Sequence, residues 1–357
     1  MSVFIIAEAG VNHDGKLDQA LALVDAAAEA GADAVKFQTF RAESLVAADA
    51  PKAAYQARNT GADDGQFSML KRLELGPEDH AQLLTHCQKR KIGFLSSPFD
   101  QDSLAFLTGP LGLGVIKLGS GEITNGPLLL ETGRLAKHVI LSTGMSDMDE
   151  IGDALAVLAF AMIAARNAKP NGEAFKASYA SKTGQQALKA RVTLLHCTTD
   201  YPADPAQANL KAIPAMQERF KLKIGFSDHT PGIAVSLGAV ALGAAVIEKH
   251  LTLDKNLPGP DHKASLEPSE FKSLAAGVRL IELALGDGDK RCMPSERANR
   301  AVARKSLTAL TAIATGDVFD ETNLGTLRPG NGLSPMTYWD WLGKTAERPF
   351  KPGERLS

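Results

Sequence analysis

Cysteine is scarce. The 357 residues include only Cys87, Cys197 and Cys292. They are too few and too scattered for a disulfide framework, and none forms a CxxC pair. A reducing setting fits, and the cytoplasm is the expected location. No apolar run reaches the length of a membrane span. The first residues, MSVFIIAE, lack a basic segment followed by a long apolar one. No membrane partner is expected. Neither sign of charge dominates: 39 basic against 41 acidic residues leave a net charge of −2. That balance gives no field for recruiting nucleic acid. No HExxH spacing occurs, and no GxGxxG follows the first strand-like run, which disfavours a dinucleotide-binding sheet. What the chain does have is apolar content, 44%. That is enough for a sizeable core, and the length suits one large domain plus a small one.

The segment from Gly225 to His262 organises the reading. His229 and His250 each follow an apolar run, LKIGF and AAVIEKH. Such runs read as buried parallel strands. A small-residue helix pattern from Ile233 to Ala244 lies between them. In a parallel α/β sheet both imidazoles emerge at carboxyl ends of neighbouring strands, where such folds place their chemistry. Two imidazoles with Asp228, Glu248 and Asp261 nearby make a divalent-metal site conceivable. Two unrelated loop histidines would give the same local sequence.

Six earlier runs complete the pattern: Val3–Ala7, Ala34–Phe37, Gly93–Leu95, Gly114–Leu118, His138–Leu141 and Val192–Leu195. Helical stretches separate most of them, including Leu17–Ala30, Pro77–Lys89 and one capped by Ser146. Eight strands alternating with helices predict an α/β fold, a (β/α)8 TIM barrel, over residues 1–285. Two stretches interrupt it. Arg41 to Gly76 is long, polar and irregular, as expected of a segment covering a site. Arg166 to Ala190 reads as a surface excursion without clear apolar period. Residues 286–303 read as a linker and 304–357 as a small domain that buries little core by itself.

The polar residues at the strand ends would converge on one barrel mouth. They include Glu8, Asn12, His13, Lys36, Gln38, Ser96, Ser97, Lys117, Ser120, Glu122, Ser142, Thr143, Tyr201, Ser227, Asp228, His229, His250 and Asp261. Two lysines aimed inward on apolar strands are costly unless paired. Glu8 or Glu122 could pair them structurally. Alternatively, with serines and the Gly-rich turns GSGE and STGM, they cradle a small anion bearing phosphate and carboxylate. Phosphoenolpyruvate is one such compound.

These motifs resemble the sialic acid (N-acetylneuraminate) synthases, the NeuB-type nonulosonate synthases. The matching pieces are FIIAEAGVNHDG, AVKFQTF, LSSPFD, IKLGSGE, LSTGM, LLHCTTDYP, GFSDHT, EKHLTLD and PGPDHKASL. The tail, ARKSL with TLRPGNGLSP, is similar to that family's antifreeze-like (SAF) domain.

The resemblance implies condensation of phosphoenolpyruvate with N-acetylmannosamine and water, giving N-acetylneuraminate and phosphate. An alternative within the family is legionaminic acid synthesis from 2,4-diacetamido-2,4,6-trideoxymannose. A different class, a non-catalytic sugar-binding protein, is opposed by the intact lysines and histidines. The resemblance also implies a divalent ion on His229 and His250, Mn²⁺ first, with Mg²⁺ or Co²⁺ as substitutes. It assigns phosphoenolpyruvate to Lys36, Ser97, Lys117, Ser120, Ser142 and Ser227. It assigns the sugar to Glu8, Gln38, Tyr201, Asp261 and Arg328, with Glu8 and Arg328 joining the two histidines in catalysis. Arg328 would reach the sugar's N-acetyl group from a partner chain, which implies a domain-swapped homodimer. Cys197 is discounted as a nucleophile, since this condensation needs no covalent enzyme intermediate. His80, His86, His138, Trp339 and Trp341 read as ordinary packing or surface residues.

Overall fold

The computed structural model describes residues 2–47, 49–52, 56–57 and 65–357. Eight strands form its centre: β1 (Phe4–Gly10), β2 (Ala34–Thr39), β3 (Gly93–Pro98), β4 (Val115–Leu118), β5 (His138–Ser142), β6 (Val192–Cys197), β7 (Lys223–Asp228) and β8 (Val246–His250). Every ladder between them is parallel, in the order β3-β2-β1-β8-β7-β6-β5-β4. β3 and β4, the ends of that order, lie side by side and close the barrel. Parallel neighbours need crossovers, and helices supply them. Leu17–Glu29, Pro77–Arg90 and Pro268–Leu285 each turn an apolar stripe onto the outside of the strands. The two faces of the strands therefore belong to different cores. Ile5, Ala7, Val35, Phe37 and Ile247 face the helices. Ile6, Ala34, Leu95, Ile140, Leu195 and Val246 fill the floor of the barrel. At Gly225 a Cβ would come within 2.6 Å of Leu195 and of the Val246 carbonyl oxygen, so the floor there has room only for glycine.

The excursion expected from Arg166 to Ala190 is instead mostly helical. Gly172–Ala180 and Lys182–Arg191 follow one another, their N-termini capped by Asn171 and Ser181 side chains. Phe175 meets Phe160 edge-on at 5.2 Å, tying the pair to the helix Met148–Ile163. The apolar stripe is thin because the pair packs chiefly on that one helix, with Leu188 reaching the main core. Asp147, not Ser146, caps Met148–Ile163, accepting from the Asp149 and Glu150 amides at 2.9 Å. Among the described residues between Arg41 and Gly76 lie the short helices Ala42–Leu45 and Gln66–Arg72. The parts of that expectation on 48, 53–55 and 58–64 fall outside the described residues.

The chain divides into two compact units, Met1–Gly286 and Asp287–Ser357. Residues 286–303, expected as a linker, thus fall almost wholly in the second unit, where Arg297–Ala303 is helical. That unit has its own core of Leu307, Ile313, Phe319, Leu324, Phe350 and Leu356 around an antiparallel pair, β9 (Ser306–Ala309) and β10 (Leu324–Leu327). Trp341 packs edge-on against Phe319 at 5.6 Å, while Trp339 is exposed. No helix among the described residues is long and apolar enough to cross a membrane.

Candidate active site

Side chains alternate along a strand, so every second residue of each barrel strand enters the interior. One step above the apolar floor, that alternation delivers Glu8, Lys36, Ser97, Lys117, Ser142, Cys197, Ser227 and Glu248. The next step brings Gln38, Thr199, His229 and His250. All line one cavity of about 310 Å³, together with Ser120, Tyr201 and Asp261. Of the residues that the family resemblance assigns to substrate, metal or catalysis, all but Arg328 line this cavity; Arg328 belongs to the second unit, where it is exposed just after β10.

Four charged side chains form the deep end, none more than 4% exposed. Lys36 contacts Glu8 directly and lies 3.8 Å from Glu248. Lys117 lies 3.3 Å from Glu248, which also accepts a 2.8 Å hydrogen bond from Ser227. Lys36 donates to Ser97 at 3.2 Å. Burial pushes the Glu8 carboxyl up to about 7, although Lys36 opposes the shift. Burial pushes the same way on Glu248, but Lys117, Lys36 and the Ser227 hydroxyl outweigh it and carry that group down to about 2. Burial pulls Lys36 down, yet Glu248 and Glu8 reverse this and its net shift is upward. Lys117 is shifted down by burial. One carboxylate is therefore firmly ionised, while the other readily carries a proton near neutrality. The pairing expected as a structural alternative is present, but it leaves positive charge available to an anion. Two buried hydroxyls of the cavity, Ser142 Oγ and Thr199 Oγ1, have no hydrogen-bond partner among the described residues, which marks unfilled polar capacity.

The two imidazoles stand with ring centroids 5.4 Å apart and planes at 58°. His229 Nδ1 donates to the Thr198 carbonyl at 2.7 Å, which leaves Nε2 as the free ring nitrogen. Burial, with His229 and Lys36 adding to it, holds His250 well below the usual imidazole range, so it is neutral. Its buried Nδ1 has no hydrogen-bond partner among the described residues. Tyr201 lies over His229 at 4.1 Å and meets His250 edge-on at 5.7 Å. Among the described residues no group of three or more His, Cys, Asp or Glu side chains is gathered closely enough to hold a metal ion. A divalent ion between the two imidazoles would therefore need oxygen ligands from water or substrate to complete its shell. Asp261, in the same cavity, is raised to about 6 by burial.

Several residues expected at the mouth face the other way. Asp228 sits between Ser227 and His229, so its side chain points out of the barrel. There it meets Lys249 at 2.9 Å and accepts from Thr230 and Ser236 hydroxyls at 2.7 and 2.5 Å. It is no metal ligand. Ser96 pairs outside the barrel with Thr39, which in turn bonds His80. His196 contacts the Ala208 carbonyl at 2.7 Å and stacks beside Phe226. His13 accepts from the Gly15 amide and packs near Phe37. Asn12 donates to the Leu251 carbonyl and to Ser265, bracing the chain just after His250. His262 is wholly buried between Thr252 and Asp14, so it shapes the PGPDH turn. Glu122 accepts from Asn125 rather than pairing with a lysine. The sequence reading placed Glu248 near the metal but did not recognise it as the partner of both lysines. Its parity with His250 in VIEKH was the available signal. Cys197 Sγ lies 3.7 Å from His229 Nδ1, a contact that orients the ring.

The NeuB family model matches residues 23–290. A protein of Campylobacter jejuni named N,N'-diacetyllegionaminic acid synthase is 48% identical, over 99% of this chain and 98% of its own length. A Legionella pneumophila protein of the same name is 41% identical, over 100% of this chain and 94% of its own. Among solved structures, the N-acetylneuraminic acid (sialic acid) synthetase of Leptospira borgpetersenii, in complex with citrate, superposes with a TM-score of 0.67 at 33% identity. That match covers 84% of this chain and 90% of the other. A family model spanning most of the barrel, and relatives this similar from end to end, make the chain a member of the NeuB family.

Proposed function

We propose that this protein is an N,N'-diacetyllegionaminic acid synthase, condensing phosphoenolpyruvate with 2,4-diacetamido-2,4,6-trideoxymannose and water. The observation that carries the chemistry is one buried cavity shared by two ammonium groups and two imidazoles. The choice of sugar rests on the two relatives bearing that name at 48% and 41% identity. This reading is preferred to the first expectation, N-acetylmannosamine, because the structure matched under the sialic acid name is only 33% identical.

In this reading Lys36 and Lys117, with Ser97, Ser120, Ser142 and Ser227, bind the phosphate and carboxylate of phosphoenolpyruvate. A new bond joins its C3 to C1 of the open-chain sugar, and the aldehyde oxygen becomes a hydroxyl. The electron-poor C2 takes water, and the resulting adduct expels phosphate to leave the ketone. A divalent ion on His229 and His250, Mn²⁺ by first choice, would supply Lewis-acid polarisation of the aldehyde oxygen. Glu8, at the end of β1 with its pKa near 7, holds a proton where the new hydroxyl forms. Tyr201, Gln38 and Asp261 position the sugar.

Phosphate release measured with each sugar tests this directly. The diacetamido sugar is expected to give a kcat/KM at least about tenfold above that for N-acetylmannosamine. A preference for N-acetylmannosamine would return the first expectation. Arg328 and the domain-swapped homodimer belong to the same proposal. Arg328→Ala is expected to raise the sugar KM about tenfold or more and to leave that of phosphoenolpyruvate within twofold. Mixed with an inactive barrel variant it should recover activity; absence of any recovery in mixed dimers argues for a site built within one chain.

A further inference from the structure

The cavity has two chemically different sides. One is the ionic set already described. The other comes from the excursion after β2: Val46, Met69 and Leu70, backed by Val11 and Phe99. These side chains belong to a small apolar cluster separate from the main core of the barrel. Their packing therefore does not serve the main core. Met69 and Leu70, only 3% and 8% exposed, line the cavity all the same. Gln66 lines the same cavity.

We propose that this wall is the sugar-selecting element of the enzyme, receiving the methyl groups of the substrate. The proposal rests on the function proposed above and says which residues enforce it. An acetamido group presents a methyl and an amide, and a 6-deoxy carbon presents a bare methyl. Val46, Met69 and Leu70 complement the methyl groups, and Gln66 in the same lining offers a carboxamide for the amide. N-acetylmannosamine has hydroxyls at C4 and C6 in the same places. Against aliphatic side chains those hydroxyls lose water and gain no partner. An apolar pocket discriminates by roughly 10- to 200-fold per methyl group. The wall is therefore sufficient for the preference expected of the enzyme without any added charge.

The test measures kcat/KM for both sugars, and KM for phosphoenolpyruvate, in the full-length wild type and two variants. Leu70→Asn places a polar group in the wall. Val46→Thr adds one hydroxyl at nearly constant shape on a half-buried residue. The ratio of diacetamido sugar to N-acetylmannosamine is expected to fall about tenfold or more in Leu70→Asn and about threefold in Val46→Thr. Phosphoenolpyruvate KM should stay within twofold. Equal losses for both sugars, or an unchanged ratio, overturn the wall. If Leu70→Asn also impairs phosphoenolpyruvate binding, the ratio in Val46→Thr decides. A wild type that prefers N-acetylmannosamine overturns the proposed function instead, so the two failures are told apart by different arms.

Discussion

Replacing His250 with alanine is expected to lower turnover by about a thousandfold or more while the barrel stays folded. His250 is the last residue of β8, and its ring faces the cavity rather than the helix-packed core. Its buried Nδ1 has no hydrogen-bond partner among the described residues, so truncation breaks no internal bond at that atom. The stability cost should be modest, on the order of 1 kcal/mol. His229→Ala should behave alike, with a further small cost because its bond to the Thr198 carbonyl is lost. Two imidazoles supply the only nitrogen ligands proposed for the ion, so removing either leaves one. Binding of Mn²⁺ followed by electron paramagnetic resonance should fall together with phosphate release. Circular dichroism should match wild type. A folded His250→Ala protein within tenfold of wild-type turnover would remove both the ion and this ring from the reaction.

The second large effect is on stability. Lys249→Met should destabilise the barrel unit by about 3–5 kcal/mol, because it strands the Asp228 carboxylate in a fully buried place. Asp228 keeps its bonds from Thr230 and Ser236, which limits the loss but does not neutralise the charge. For a unit of this size the melting temperature should drop by roughly 6–15 °C. Lys249 also contacts the Thr230 carbonyl, so the pair clamps the turn that carries His229 while being covalently next to His250. A second consequence follows: Lys249→Met should weaken Mn²⁺ binding although neither group faces the cavity. Thermal melting and the same resonance titration check the two effects. A melting point within 2 °C of wild type would show that the pair contributes little.

Much of this was legible in the residues. The eight apolar runs are continuous because barrel strands are buried on both faces, and that signal survives in a single sequence. The polar residues at their ends mark the face where loops build a site. The helices Gly172–Ala180 and Lys182–Arg191 carry little signal because they bury only a thin stripe, chiefly against Met148–Ile163. Asp228 was misplaced for a different reason. SDH puts carboxylate and imidazole next to each other in sequence, which on a strand sends them to opposite faces, whereas EKH separates them by one residue and keeps them on one face. Asp228 and Lys249 thus find each other outside the barrel, while Glu248 and His250 share the inside.

By itself the sequence determined the succession of strands and helices and the inventory of charged and hydroxyl groups near one end. Those are local properties, set by hydrophobic period and turn chemistry. The tertiary structure decided which alternate residues enter the cavity, that Glu248 engages both lysines, and that an apolar wall faces the ionic floor. Local sequence fixes the alternation along each strand, but only the register between strands, once the barrel closes, fixes which phase of it points inward.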